Sequence, residues 1–272
     1  MGVTHSIVRT AQADIAVAQT TGGGLPVLLI HGNSSGKDVF AGLMAGPLGT
    51  RYRMIAPDLP GHGASGDAAD VAAYSVPGYA QTMREVLAAL DVAAPAVLGW
   101  SLGGHVGIEL LQRRPAPRGL MIVGAPPFRP GAVGLMRAFR TRPDLLLAIK
   151  ARLSPAQIAR FARVFLGPAA TPAMVGLVGR TDPRARPQLF GSLIRGVGAD
   201  QKRLVETSAV PLAVVNGAAE PFARLSYVHA LAYAHLWQGR CQAVHGAGHA
   251  PFLDDPPAFE ALLARFLADV EA

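Results

Sequence analysis

The stretch Gly99-Trp100-Ser101-Leu102-Gly103-Gly104 decides how this chain folds, because it fits the G-x-S-x-G pattern of a nucleophile elbow. The apolar run Pro95-Ala96-Val97-Leu98 before it reads as a buried strand, and Gly104 to Arg113 after it reads as a helix. A serine held at so sharp a strand-to-helix turn projects its hydroxyl above the sheet. Small residues at 99, 103 and 104 let strand and helix come close enough for the turn to form. The bare pattern arises easily in a chain with 31 glycines. Its weight comes from the flanking strand and helix, and from partner residues in the right order downstream.

Outward from the elbow, apolar strand-like runs alternate with helix-like ones, as in a mostly parallel sheet covered by helices. Ile7 to Arg9 and Asp14 to Gln19 suggest an opening antiparallel hairpin. Val27-Leu28-Leu29-Ile30 is continuously apolar, as expected of a strand buried on both faces. Met54 to Ala56, Leu120 to Val123, Leu212 to Val215 and Cys241 to Val244 continue the series. Between them, Tyr79 to Leu90 and Ala258 to Val270 carry apolar residues at helical spacing, which reads as core packing.

The alternation breaks between about Pro127 and Val210. That stretch is rich in Arg, Leu and Ala and reads as short helices: Val133 to Arg140, Asp144 to Leu153, and Pro155 to Phe165 with Ser154 as N-cap. Because strand patterning resumes at Leu212, the expectation is an α/β core formed by residues 1–126 and 211–272, with a helical cap, or lid, at 127–210.

At 272 residues, half of them hydrophobic, the chain can bury one large core. Its single cysteine, Cys241, excludes an internal disulfide and a cysteine metal cluster, and fits a reducing compartment. No apolar run approaches the roughly 20 residues that span a bilayer, and no signal-peptide pattern is present, so a cytoplasmic protein without membrane insertion is expected. The net charge of +7 is uneven: 127–210 holds 14 Lys/Arg against 4 Asp/Glu, and the remainder 11 against 14. The excess reads as arginines solvated on the outer faces of helices, rather than as a patch that steers anionic ligands. With no aromatic-interleaved basic motif beside it, nucleic acid is not an expected partner.

A serine hydroxyl becomes nucleophilic only when a base takes its proton and a third group orients that base. The elbow topology places these in the order serine, acid, histidine. Among the downstream histidines, His105 lies too close along the elbow helix, and His245 reads as packing at a strand end. His249, in the loop Gly246-Ala247-Gly248-His249-Ala250-Pro251, is the expected base. The loop after Leu212 to Val215 carries one carboxylate, Glu220, the expected acid; Asp254 and Asp255 read as a solvated turn. The oxyanion needs two donors: the N–H of Leu102, directly after the serine, and that of Asn33 in Ile30-His31-Gly32-Asn33-Ser34-Ser35. The Asn33 side chain is a further candidate for substrate contact. Asp58-Leu59-Pro60-Gly61-His62-Gly63 reads as framework turn chemistry. No metal is expected, because His245 and His249, though at i, i+4 spacing, lie across a glycine-rich loop with no third ligand. No cofactor is expected either.

With these motifs in hand, the chain resembles the α/β-hydrolase superfamily over nearly its whole length. Within it, His31 to Ser35, Gly99 to His105, Val215-Asn216-Gly217 with Glu220-Pro221-Phe222, and Ala247 to Phe252 resemble the AidH-type N-acylhomoserine lactonases. The cap segment Gly179 to Arg186 is similar too. The resemblance implies metal-free opening of a lactone ring, glutamate as triad acid, and a small-molecule ester or lactone with an apolar acyl chain as partner. The acyl pocket is expected from Phe128, Met136, Phe139, Phe161, Phe165, Phe190 and Phe222. One departure stands out: where that family carries a cap tyrosine able to touch the lactone, this chain offers Phe161, which has no hydroxyl. A general carboxylesterase is the alternative, followed by cofactor-free haloperoxidases and C–C bond hydrolases, which share the triad. A non-catalytic small-molecule receptor is the reading from another class. Monomer and homodimer stay open.

Overall fold

Strands form where the apolar runs predict them, and the computed structural model, which describes residues 2–272, joins them into one sheet. The strands are β1 (Val3–Arg9), β2 (Asp14–Thr20), β3 (Gly24–Ile30), β4 (Tyr52–Pro57), β5 (Ala96–Trp100), β6 (Gly119–Val123), β7 (Leu212–Gly217) and β8 (Gln242–Val244). Their order in the sheet is β1-β2-β4-β3-β5-β6-β7-β8. The β1–β2 and β2–β4 pairs are antiparallel, and every later pair is parallel.

Alternation of side chains divides the core into two layers. Leu28, Ile30, Val97 and Ile122 face the helices Val76–Ala89 and Leu102–Leu110, through Tyr79, Met83, Val86 and Val106. Val27, Leu29, Leu98 and Met121 face the C-terminal helix Pro256–Glu271, through Phe259, Leu263, Phe266 and Leu267. Every residue of β5, β6 and β7 is buried, as expected for central parallel strands covered on both sides. Asp255, in the turn before the last helix, caps it by accepting from the Ala258 N–H at 3.1 Å.

Between β6 and β7 the chain runs through helices Ala132–Ala138, Pro155–Phe165, Pro172–Arg180, Ala185–Ile194 and Gln201–Thr207. The helix Pro155–Phe165 starts with a full capping box, in which Ser154 and Gln157 bond each other's backbone N–H. The helix expected over Asp144 to Leu153 shortens to a 3₁₀ turn, Pro143–Ala148. Tertiary partners take its later carbonyls: Ala148 O accepts from Asn33 Nδ2, and Ala151 O from Arg186 Nη1.

The basic residues of this segment are not all solvated. Arg186 is buried, and Arg184 pairs with buried Asp182, which also accepts from Tyr74 of the sheet domain. Arg180 reaches Ser65 O at 2.6 Å. These contacts clamp Gly179 to Arg186 onto the loop between β4 and the helix Val76–Ala89. Among the described residues, no helix is long and apolar enough to cross a membrane.

Candidate active site

The elbow is built by exclusion of side chains. A Cβ on Gly103 would sit 1.9 Å from Ile30 O, and one on Gly99 would sit 2.3 Å from Gly103 O. One on Gly104 would meet Ala125 Cβ at 2.5 Å. Ser101 between them adopts φ 53° and ψ −117°, a conformation that costs a non-glycine residue about 1–3 kcal/mol. The turn is held by the Ser101 N–H donating to Val123 O at 2.8 Å. Leu102 is the first residue of the following helix, where backbone N–H groups have no acceptor within the helix.

His249 and Glu220 meet although 29 residues separate them. His249 Nδ1 lies 2.8 Å from Glu220 Oε2, and Glu220 Oε1 accepts from the N–H groups of Phe222 (2.7 Å) and Ala223 (3.1 Å). Both side chains are almost fully buried. Burial pushes the Glu220 carboxyl up. His249 beside it and the two backbone donors pull it down by more, so it stays below the ordinary glutamate range. A carboxylate there selects the tautomer with the proton on Nδ1, leaving Nε2 as the basic nitrogen. His249 Nε2 has no partner of its own and lines one cavity together with Ser101. Such hydrogen bonds often close only around substrate.

Three groups that sequence reading passed over position this pair. Trp100 Nε1 donates to His249 O at 2.8 Å, tying the histidine loop to the strand that ends in the elbow. Asp254 accepts from the Gly248 N–H at 2.8 Å. Gly124, at φ 61° just beyond β6, makes room: a Cβ there would lie 2.9 Å from His249 Cε1 and 3.0 Å from Nδ1. The available signal was a glycine directly after the strand next to the elbow strand. His245 is exposed rather than packed.

The loop after β3 approaches from the other side. A Cβ on Gly32 would stand 3.0 Å from the Trp100 ring and 3.2 Å from Ser101 Cβ, so any side chain there would push on the elbow. The Asn33 N–H makes no hydrogen bond among the described residues. Its side chain is engaged instead: Nδ2 donates to Ala148 O at 3.1 Å, and Oδ1 accepts from Ser34 Oγ, which itself accepts from Arg186 Nε at 2.7 Å. Burial lowers the Arg186 guanidinium to about 10. The framework turn contributes as well. His31 Nε2 accepts from the Leu59 N–H, and Asp58 accepts from the Lys37 backbone, the Lys37 ammonium and the Ala64 N–H.

Ser101, Leu102, Asn33 and His249 open into a cavity of about 420 Å³ with mainly apolar walls. Met136, Phe139, Phe165, Phe190 and Phe222 line it. Phe128 and Phe161, expected in the lining, do not reach it. Phe161 stacks behind Phe165 at 4.2 Å, and Phe165 stacks on Phe222 at 4.3 Å, so Phe161 is the outer member of a three-ring column. Phe128 packs edge-on to His105 at 5.3 Å, beneath the wall. Their apolar character marked both for burial without telling wall from support. Among the described residues, no three His, Cys, Asp or Glu side chains cluster as metal ligands would.

The comparisons agree with this architecture. Residues 27–262 match the alpha/beta hydrolase family. A variant of the N-acyl homoserine lactonase AidH, complexed with N-hexanoyl homoserine, superposes with a TM-score of 0.96 at 41% identity, covering 99% of this chain and 98% of that one. A pimeloyl-[acyl-carrier protein] methyl ester esterase of Neisseria meningitidis is 32% identical, over 90% of this chain and 94% of its own length. An uncharacterised protein of Mycobacterium tuberculosis is 27% identical, over 97% of this chain and 81% of its own length. The chain therefore belongs to the alpha/beta hydrolase family, with the fold of the N-acyl homoserine lactonase AidH.

Proposed function

We propose that this enzyme hydrolyses carboxylic esters and lactones with a Ser101-His249-Glu220 triad and no metal, and that it opens the ring of N-acylhomoserine lactones, a quorum-quenching activity. The observation that carries the reading is the buried His249–Glu220 pair sharing an apolar cavity with a serine in strained elbow geometry. The likeness to AidH supports the substrate class. One AidH structure is a serine-to-glycine variant with the intact N-hexanoyl lactone, and another is a glutamate-to-glycine variant with the ring-opened N-hexanoyl homoserine.

In this mechanism Ser101 Oγ attacks the lactone carbonyl while His249 Nε2 accepts its proton. Glu220 stabilises the imidazolium that forms. The N–H groups of Leu102 and Asn33 hold the developing oxyanion. Loss of one such donor typically costs about 10²–10³ in turnover. Collapse breaks the ring C–O bond, and His249 returns the proton to the alkoxide. Water, activated by the same histidine, then releases the open acid from Ser101. The segment 127–210 acts as a cap whose apolar side chains hold the acyl chain, with Phe165 and Phe222 against the histidine.

A general carboxylesterase is the second reading. It is favoured by the absence of a tyrosine from the cavity lining and by the position of Phe161 behind Phe165. Turnover of acylhomoserine lactones and of aryl esters by the wild-type enzyme and by Ser101→Ala separates the two. The lactonase reading requires lactone consumption with the ring-opened acid as product, and a kcat about 10⁶-fold lower in the variant. Ester turnover without lactone turnover refutes it. Turnover that survives Ser101→Ala refutes the triad.

A further inference from the structure

His105 is the buried polar group of the cavity wall that the hydrolytic steps leave unused. Of the other polar lining residues, Asn33, Ser101 and His249 sit at the reacting end, and Arg140, Thr141 and Arg142 are exposed at the mouth. His105 is 6% exposed, and its ring lies against Phe128 at 5.3 Å and Phe139 at 6.0 Å. Its Nδ1 lies 2.8 Å from Oε1 of buried Gln201, on the helix Gln201–Thr207. A carboxamide oxygen can only accept, so Nδ1 carries the proton and Nε2 presents a bare lone pair. Burial holds the imidazole down at about 4, which keeps it neutral at ordinary pH. Nε2 makes no protein hydrogen bond, yet it is not among the sealed, partnerless atoms of the interior. An acceptor left facing an apolar cavity is unfavourable unless something binds it.

We propose that His105 forms a specificity subsite in which Nε2 accepts a hydrogen bond from a hydroxyl on the substrate's acyl chain. The inference rests on the hydrolase reading above and adds to it the chemical class of acyl group preferred. His105 follows Ser101 by four residues, about 6 Å along the helix axis. A hydroxyl on the third carbon of an N-acyl chain stands at a comparable reach from a lactone carbonyl held at the serine. A keto group at that carbon offers only acceptor oxygen and meets the lone pair unfavourably. The subsite thus favours hydroxyl over unsubstituted chains, and both over keto.

The test uses N-hexanoyl, N-(3-hydroxyhexanoyl) and N-(3-oxohexanoyl) homoserine lactones, comparing kcat/KM within each protein. The wild type is expected to prefer the hydroxyl over the unsubstituted chain by roughly 3- to 10-fold, the worth of one neutral hydrogen bond. In His105→Phe that ratio should fall to about one. Gln201→Leu, which frees the tautomer but keeps the ring, should narrow it. Where His105→Phe does not fold, the wild-type ranking together with its narrowing in Gln201→Leu decides the matter. Equal rates, a keto preference, or a hydroxyl preference that survives in His105→Phe would overturn the subsite. If no lactone is turned over, the lactonase reading fails on its own, and aryl esters of octanoic, 6-hydroxyoctanoic and 6-oxooctanoic acids, whose substituted carbon stands the same five bonds from the scissile carbonyl, carry the ranking test.

Discussion

Gly124→Ala separates positioning of His249, the proposed base, from general stability. Gly124 adopts φ 61°, where a side chain costs about 1–2 kcal/mol. At roughly 2–4 °C per kcal/mol for a chain this size, the melting temperature should fall by about 2–8 °C. The new methyl would also stand 2.9 Å from His249 Cε1, 3.0 Å from Nδ1 and 3.4 Å from Glu220 Oε2. Both side chains are almost fully buried, so the imidazole must shift relative to its carboxylate and to Ser101. Displacements on the 1 Å scale cost about 10²-fold in rate, and this smaller one is expected to lower kcat by about 10- to 100-fold. KM should change little, because the acyl walls are untouched. Gly239→Ala is the matched control: its φ is 65°, and nothing lies within 4 Å of the added methyl. It should lose similar stability and keep its kcat. Steady-state kinetics on an aryl ester, with melting curves for both variants, decide the case. A folded Gly124→Ala enzyme within two-fold of wild-type kcat would refute the reasoning, as would an equal loss of kcat in Gly239→Ala.

Two further outcomes concern the framework. Asp58→Ala takes from the buried Lys37 ammonium its 2.9 Å partner, leaving only exposed Asp38 at 3.6 Å, and leaves the Ala64 N–H unpaired. Breaking a buried pair in this way costs about 3–5 kcal/mol, so urea denaturation showing less than about 1 kcal/mol would contradict the assignment. Acid should destabilise the protein well above the carboxylate range. Burial lowers His62 to about 3 and His105 to about 4, so both stay neutral in the fold while their unfolded counterparts take up protons near pH 6.5. Their stabilising contribution is complete above pH 6.5 and drains as pH falls toward 4, by up to about 1.4 kcal/mol per pH unit for each histidine. Denaturation free energies that stay flat between pH 7 and pH 5 would argue against neutral burial.

Legibility in the sequence followed the physics of each signal. Continuous apolar runs marked β3, β5, β6 and β7 because central parallel strands are apolar on both faces. Ser154, Pro155 and Gln157 marked a helix start because a capping box is a local arrangement. The end of the expected helix over Asp144 to Leu153 was not legible, since its carbonyls answer to Asn33 and Arg186 from distant parts of the chain. Arg186 looked like one more solvated arginine. It is buried because Ser34 and the carbonyls of Ala151 and Val178 together satisfy its guanidinium. Phe128 and Phe161 show the same limit, because apolar character marks a residue for burial and not for what it is buried against.

The sequence by itself determined the elbow at Ser101, the order of serine, glutamate and histidine along the chain, and the loop that brings Asn33 near. The elbow and the Asn33 loop depend on residues within a few positions of one another, and the order along the chain is read directly from it. Tertiary structure alone decided that Gly124 clears space for His249, that Trp100 pins its loop, and that Phe165 rather than Phe161 faces the cavity. It also decided that His105 stands in the cavity wall with Gln201 behind it. These are contacts between segments far apart in the chain, chosen by close packing and by the satisfaction of buried polar groups. Neither constraint leaves a periodic mark in the order of residues. The elbow at Ser101 is therefore legible from its neighbours, whereas what surrounds it had to be found in space.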